Sequence, residues 1–313
     1  MNHFVLRKDW CDWVKLLAAI LVAVSHYSTV VVINNHWSDS SFLRLWCQGG
    51  YIGVALFFYF SEYGLMESES KRHLTVVDFF RKRFLKVYLP VLLVSAIWIP
   101  LYYLYVSQNE ATIEVWTVLY DLFWGFRDCV LWFVKILFLL YGLFALFSHF
   151  HHAKKNMLAH SFLAVGTMCA TWLAYSWGFP FISVPLFLLG VWSSNLKSNE
   201  FKGVPMPFLL IMAMVMIYSM CFLVNRSADA LHGVVNGMVL VMTLSSCIIL
   251  VVLPPPYLLS NFLISATYTL YIVHFKVLDF MTSEWGYISF GSWAVATIVV
   301  TIIITSIRHF LKI

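Results

Sequence analysis

The chain has 313 residues, of which 61% are hydrophobic, 18% aromatic and only 11% charged, with a mean hydropathy of +0.83. This balance excludes a water-soluble globule, an anchored soluble enzyme, a nucleic-acid-binding module and a disordered chain, because each crossing helix consumes about 20 apolar residues and little chain is left over. The net charge of +5, from 20 Lys and Arg against 15 Asp and Glu, reports topology before it reports a partner.

About ten apolar windows follow in chain order, at roughly 12 to 33, 50 to 66, 84 to 106, 129 to 149, 157 to 177, 180 to 194, 205 to 224, 231 to 253, 257 to 275 and 287 to 307. They predict an all-α polytopic integral membrane protein with no soluble domain, residues 1–313 forming one membrane domain. The first run lacks a small-residue cleavage site and reads as a retained helix. Pro180 separates two windows by only a few residues, and Pro254-Pro255-Pro256 must break any helix. The polar stretches at about 67 to 83 and 107 to 128 read as interhelical loops.

Positive charge alternates between successive loops. Arg7, Lys8, Lys71, Arg72, Arg81, Lys82, Arg83, Lys86, Lys154, Lys155, Lys197, Lys202, Arg308 and Lys312 fall on one side. The other side holds only Arg44, Arg127, Arg226 and Lys276. Basic loops face the cytoplasm, which puts both termini there. The six cysteines are scattered singly without a CxxC, so neither a disulfide framework nor a zinc site is expected.

An ionisable side chain at mid-membrane costs several kcal/mol, so each one is a functional candidate unless it snorkels to the interface. His26 lies roughly 14 residues into the first window, about 20 Å along a helix and close to the midplane. Imidazole exchanges its proton readily near neutral pH, as a general base must; a neutral histidine bonded between helices is the alternative. Lys15 precedes it by about 1100° of helical rotation, within roughly 20° of three full turns and about 16 Å along the axis. The two therefore share a face, with Lys15 at the cytoplasmic mouth. Asp12 could pair with Lys15 one turn earlier, or the two are a helix-start aspartate and a snorkelling lysine.

The run Arg81-Lys82-Arg83-Phe84-Leu85-Lys86 collects cations that could hold a polyphosphate, or that act as a positive-inside stop touching anionic lipid. Gly50 and Gly53 allow close backbone approach at the start of the second window, and Ser61, Glu62 and Tyr63 follow near its end. Glu62 is protonated, paired with Lys15 or Lys86, or interfacial. Trp132 and Lys135 in the fourth window and Tyr268, Tyr271 and His274 in the ninth read as an outer-facing aromatic group. Such a group suits a sugar, and it also fits an interfacial belt. The Met212, Met214 and Met216 run reads as packing or lipid contact.

These residues form an ordered set that resembles the acyltransferase 3 family of membrane acyltransferases, over nearly the whole chain. The family's Asp-x-x-Arg, ten residues, His opening is matched by Asp12, Lys15 and His26. Its Gly-x-x-Gly-Val...Phe-Phe...Ser-Gly-Tyr segment is matched by Gly50, Gly53, Val54, Phe57, Phe58, Ser61, Glu62 and Tyr63. Arg83, Lys86 and Pro90 resemble its basic third-helix entrance, Leu131, Trp132 and Phe133 its Leu-Trp-Phe helix, and Thr267, Tyr268, Tyr271 and His274 its late Ser-Tyr-x-x-Tyr-x-x-His segment. Two departures stand out: Lys15 replaces an arginine, losing the bidentate fork, and Glu62 replaces a glycine.

The resemblance implies O-acylation of a glycan or lipid-linked sugar by cytoplasmic acetyl-CoA, in a bacterial inner membrane, with no metal and no nucleic acid. It implies His26 as catalytic base, Lys15, Arg81, Arg83 and Lys86 on the donor phosphates, and Asp12, Ser61, Glu62 and Tyr63 in support. Trp132, Lys135, Tyr268, Tyr271 and His274 would bind the acceptor. Two other readings stay open: an exporter using His26, Glu62 and Lys135 as a proton or ion relay, and an inactive subunit of a glycan-synthesis complex.

Overall fold

The computed structural model describes residues 8–35, 49–71, 75–106, 114–123, 129–152, 156–176, 183–184, 187–188, 190–191, 259–285 and 288–311. The named elements are all helical: α1 (Lys8–Asn35), α2 (Gly49–Lys71), α3 (Val76–Arg83), α4 (Leu89–Leu101), α5 (Val115–Phe123), α6 (Cys129–His152), α7 (Asn156–Ser176), α8 (Asn261–Trp285) and α9 (Phe290–Leu311). Two π-helical turns, Phe84–Tyr88 and Tyr102–Val106, join α3 to α4 and extend α4, so residues 76–106 form one continuous helix.

Five described stretches are long and apolar enough to cross a membrane: Cys11–Val31, Val76–Leu104, Trp132–His151, Met157–Ser176 and Phe290–Phe310. The chain is therefore a multi-pass membrane protein. Of the ten expected spans, the second and ninth are helices that fall short of that apolarity, α2 through its glycines and Glu62, α8 through its threonines, His274 and Lys276. The seventh and eighth windows, most of the sixth, the methionine run, the triple proline and many of the loop cations lie outside the described residues.

Three sequence expectations are corrected. The third helix begins at Val76, eight residues early, because Thr75 caps it: its Oγ1 accepts from the Asp78 N–H at 3.2 Å and donates to Asp78 Oδ2 at 2.8 Å. The 107 to 128 stretch is more than a loop, since it carries α5, tied back where the Tyr103 hydroxyl donates to Asp121 Oδ2. The ninth helix runs from Asn261 to Trp285, not to about 275. Lys276 therefore lies inside the helix, only 5% exposed, its Nζ donating to the Ile272 carbonyl at 3.1 Å.

The chain divides into two compact units, residues 1–73 with 142–259, and residues 74–141 with 260–313. In the first, α1 packs against α2 through small residues. A Cβ on Gly53 would lie 2.6 Å from the Ala18 carbonyl oxygen and 2.6 Å from Val22 Cγ2; one on Gly50 would lie 2.8 Å from Ser25 Oγ. Ala18, Val22 and Ser25 recur at i, i+4 and i+7 on one stripe of α1, so the α2 backbone settles directly onto it. Phe57, Phe58, Tyr59 and Phe60 are buried behind that contact.

In the second unit, Pro90 lacks the N–H that would bond one turn back and its ring crowds that carbonyl, and the turn before it is widened to π-helix. The helices α8 and α9 form a hairpin, each opened by a serine: Ser260 Oγ accepts from the Leu263 N–H at 3.2 Å and Ser289 Oγ from the Ser292 N–H at 3.1 Å. Trp293 Nε1 ties the hairpin by donating to the His274 carbonyl at 3.3 Å.

Candidate functional site

The first unit holds the α1 candidates. His26 is partly buried and follows Ser25 directly, so it stands beside the stripe that receives Gly50 and Gly53. It lies about 40° around the helix from Val22. Lys15 and Asp12, also partly buried, occupy the same continuous helix, so the shared face of Lys15 and His26 survives in the structure. Glycine at positions 50 and 53 is what lets this face stand close to a neighbouring backbone.

Glu62 is fully buried, at 0% exposure. The helical backbone at Gly190 covers it: a Cβ there would meet Glu62 Cβ at 2.8 Å and the Tyr59 carbonyl oxygen at 2.6 Å. Glu62 is thus enclosed by protein, with Gly190 close above it. Tyr63 is buried and stacks on Tyr59 with ring centroids 6.5 Å apart, while Ser61 is partly buried.

The second unit holds the basic candidates. Arg81 and Lys86 are exposed, whereas Arg83 turns inward. Its guanidinium carbon sits 5.6 Å from the ring centroid of Phe79 and 5.6 Å from that of Tyr141. Phe79 and Tyr141 meet edge to face at 6.1 Å, so the cation lies in an aromatic corner. One turn later the Val87 carbonyl accepts a hydrogen bond from the Tyr268 hydroxyl at 2.6 Å.

That bond moves Tyr268 out of the expected outer-facing aromatic group. Because α8 begins at Asn261, Tyr268 stands only about 10 Å into it, at the level of the basic run. Beside it lies a residue that the sequence reading counted only as a loop charge. Arg308 is 9% exposed, donates from Nη1 to Thr269 Oγ1 at 2.9 Å, and holds its guanidinium carbon 5.7 Å from the Tyr268 ring centroid. The signal was faint: a cation three residues before the end of an apolar helix normally snorkels.

The remaining expected acceptor residues are packed together. Trp132, Tyr271 and His274 are buried; Phe133 meets Trp132 at 6.1 Å and Tyr271 at 5.1 Å, and Tyr271 meets His274 at 5.9 Å. His274 Nδ1 lies 3.1 Å from the Leu270 carbonyl oxygen. Lys135, one turn past Trp132, is partly buried. No group of His, Cys, Asp and Glu suited to a metal ion occurs among the described residues.

A family model described as an acyltransferase domain, that of acyltransferase 3, matches residues 8–309. No curated protein matches the chain, and no solved structure does.

Proposed function

The chain belongs to the acyltransferase 3 family, and on that premise we propose that it moves an acetyl or other short acyl group from a cytoplasmic acyl-CoA to a hydroxyl of a glycan or lipid-linked sugar. That it is a multi-pass membrane acyltransferase follows from the family match and the apolar helices. The finer assignment rests on the one residue on the α1 face that can exchange a proton near neutral pH, His26, held beside the glycine contact with α2.

In this reading His26 accepts the proton of the acceptor hydroxyl as that oxygen attacks the thioester carbonyl. The C–O bond forms, the C–S bond breaks, and the proton leaves with the CoA thiolate. Lys15, Arg81, Arg83 and Lys86 attract the donor phosphates, Arg83 being the one held in a fixed aromatic corner. Lys135 takes the acceptor contact, and the packed Trp132, Tyr271 and His274 fix the helices around it. The positive-inside pattern supports cytoplasmic termini, and the family resemblance supports a bacterial inner membrane.

The test is transfer of label from acyl-radiolabelled acetyl-CoA into the glycan and lipid fractions of membranes carrying wild-type protein or His26→Ala. Label with wild type that vanishes in the variant is expected. Full transfer by His26→Ala contradicts the base, and no transfer by folded wild type in native membranes contradicts the donor.

A further inference from the structure

Arg308 comes from the last helix, and the donor-site reading above does not use it. It is buried at 9% exposure, and among the described residues its Nε has no hydrogen-bond acceptor. The Nε of Arg83 is likewise buried without an acceptor among the described residues. Among the described residues no carboxylate pairs with either group, and both are flanked mainly by rings. Attraction to an aromatic face is weaker than the desolvation penalty of a guanidinium taken out of water, so the buried Arg308, with the half-buried Arg83 one tyrosine away, calls for an anion.

The two groups are linked through one tyrosine. Arg308 lies over the Tyr268 ring, and the Tyr268 hydroxyl is fixed to the Val87 carbonyl, one turn past Arg83. The Nε and Nη hydrogens of each guanidinium form a fork that fits two oxygens of a phosphoryl group. Arg308 keeps its Nη1 bond to Thr269 Oγ1 at 2.9 Å and leaves its Nε free for such a ligand.

We propose that Arg308 and Arg83, flanking Tyr268, form a phosphoryl-binding pair in which the last helix supplies the second guanidinium. The ligand chemistry is a phosphate ester, carried either by CoA or by an anionic phospholipid headgroup. The CoA source rests on the acyl-CoA reading above; the site itself does not.

The test uses full-length protein in nanodiscs of phosphatidylcholine, titrated with CoA, as wild type, Arg308→Lys and Arg308→Gln, with thermal midpoints measured in parallel. The site predicts about a tenfold rise in the CoA Kd for Arg308→Gln and a smaller rise for Arg308→Lys, which keeps the charge but loses the fork. Without ligand, neither variant should melt below wild type, since an unpaired buried cation has been removed or made more adaptable. A purely structural arginine would instead lower the unliganded midpoint and leave Kd unchanged. If Arg308→Gln does not fold, Arg308→Lys alone decides. Equal CoA affinity in wild type and the variants excludes CoA as the ligand of this site while leaving the acyl-CoA donor standing. If wild type binds no CoA, the donor reading fails. In either case a rise in midpoint with added phosphatidylglycerol, seen in wild type and lost in Arg308→Lys, assigns the phosphoryl group to lipid. Absence of that rise overturns the site.

Discussion

In the first unit α1 and α2 meet backbone to backbone, with Gly50 and Gly53 set against Ala18, Val22 and Ser25, and His26, the proposed base, stands at the edge of that contact. In the second unit two arginines lie against rings, Arg83 between Phe79 and Tyr141 and Arg308 against Tyr268, whose hydroxyl bonds the Val87 carbonyl. The difference teaches what each arrangement is suited to. Close backbone packing fixes the depth and rotation of one small side chain, as proton transfer requires. Aromatic corners keep cations desolvated and oriented while leaving hydrogen-bonding edges open, as anion binding requires.

Substitutions should separate the two jobs. The largest effect is expected for His26→Ala, which should reduce kcat by roughly 10²- to 10⁴-fold, the usual worth of a positioned general base, with thermal stability close to wild type; steady-state kinetics on purified protein checks this. Next comes Gly53→Val. Its side chain would overlap Ala18 and Val22, and overpacking of this kind costs about 1 to 3 kcal/mol, so the thermal midpoint should fall and activity with it. Gly64→Ala is the control, because a Cβ there meets nothing within 4 Å; it should leave the midpoint unchanged or slightly raised.

In the second unit, Tyr268→Phe removes the donor to the Val87 carbonyl. An orphaned acceptor of this kind costs about 1 to 3 kcal/mol, and the donor KM should rise severalfold with kcat little altered. The smallest effect belongs to Arg81→Gln, which is exposed. Its stability change should stay within about 0.5 kcal/mol, and any weakening of donor binding should fade as salt is raised, because exposed charges are screened. A Tyr268→Phe variant that loses kcat alone would break the proposed division of labour.

Much of this was legible in the sequence for a simple reason. Hydrophobic windows and the 3.6-residue period operate within one segment, so the first helix, the shared face of Lys15 and His26, and the motif order matched over residues 8–309 could be read directly. What escaped depended on partners far along the chain. The ninth helix extends past its apolar window with Lys276 inside it, Nζ on the Ile272 carbonyl, and a hydropathy average registers only the charge. Tyr268 bonds a carbonyl 181 residues away, and no spacing rule joins α8 to the turn before Pro90. Arg308 counted only among the charges of the basic side because its burial against Thr269 and Tyr268 is a tertiary fact.

The central claim is that proton transfer belongs to His26 and donor binding to the arginines of the second unit. Saturation kinetics with acetyl-CoA on His26→Ala and Arg83→Gln, measured side by side with the Kd for CoA, tests it most directly. The account predicts that His26→Ala loses kcat and keeps the wild-type Kd, while Arg83→Gln raises Kd and donor KM about tenfold and keeps kcat within a few fold. A His26→Ala protein with normal kcat, or an Arg83→Gln protein with normal CoA affinity and lost kcat, would contradict it.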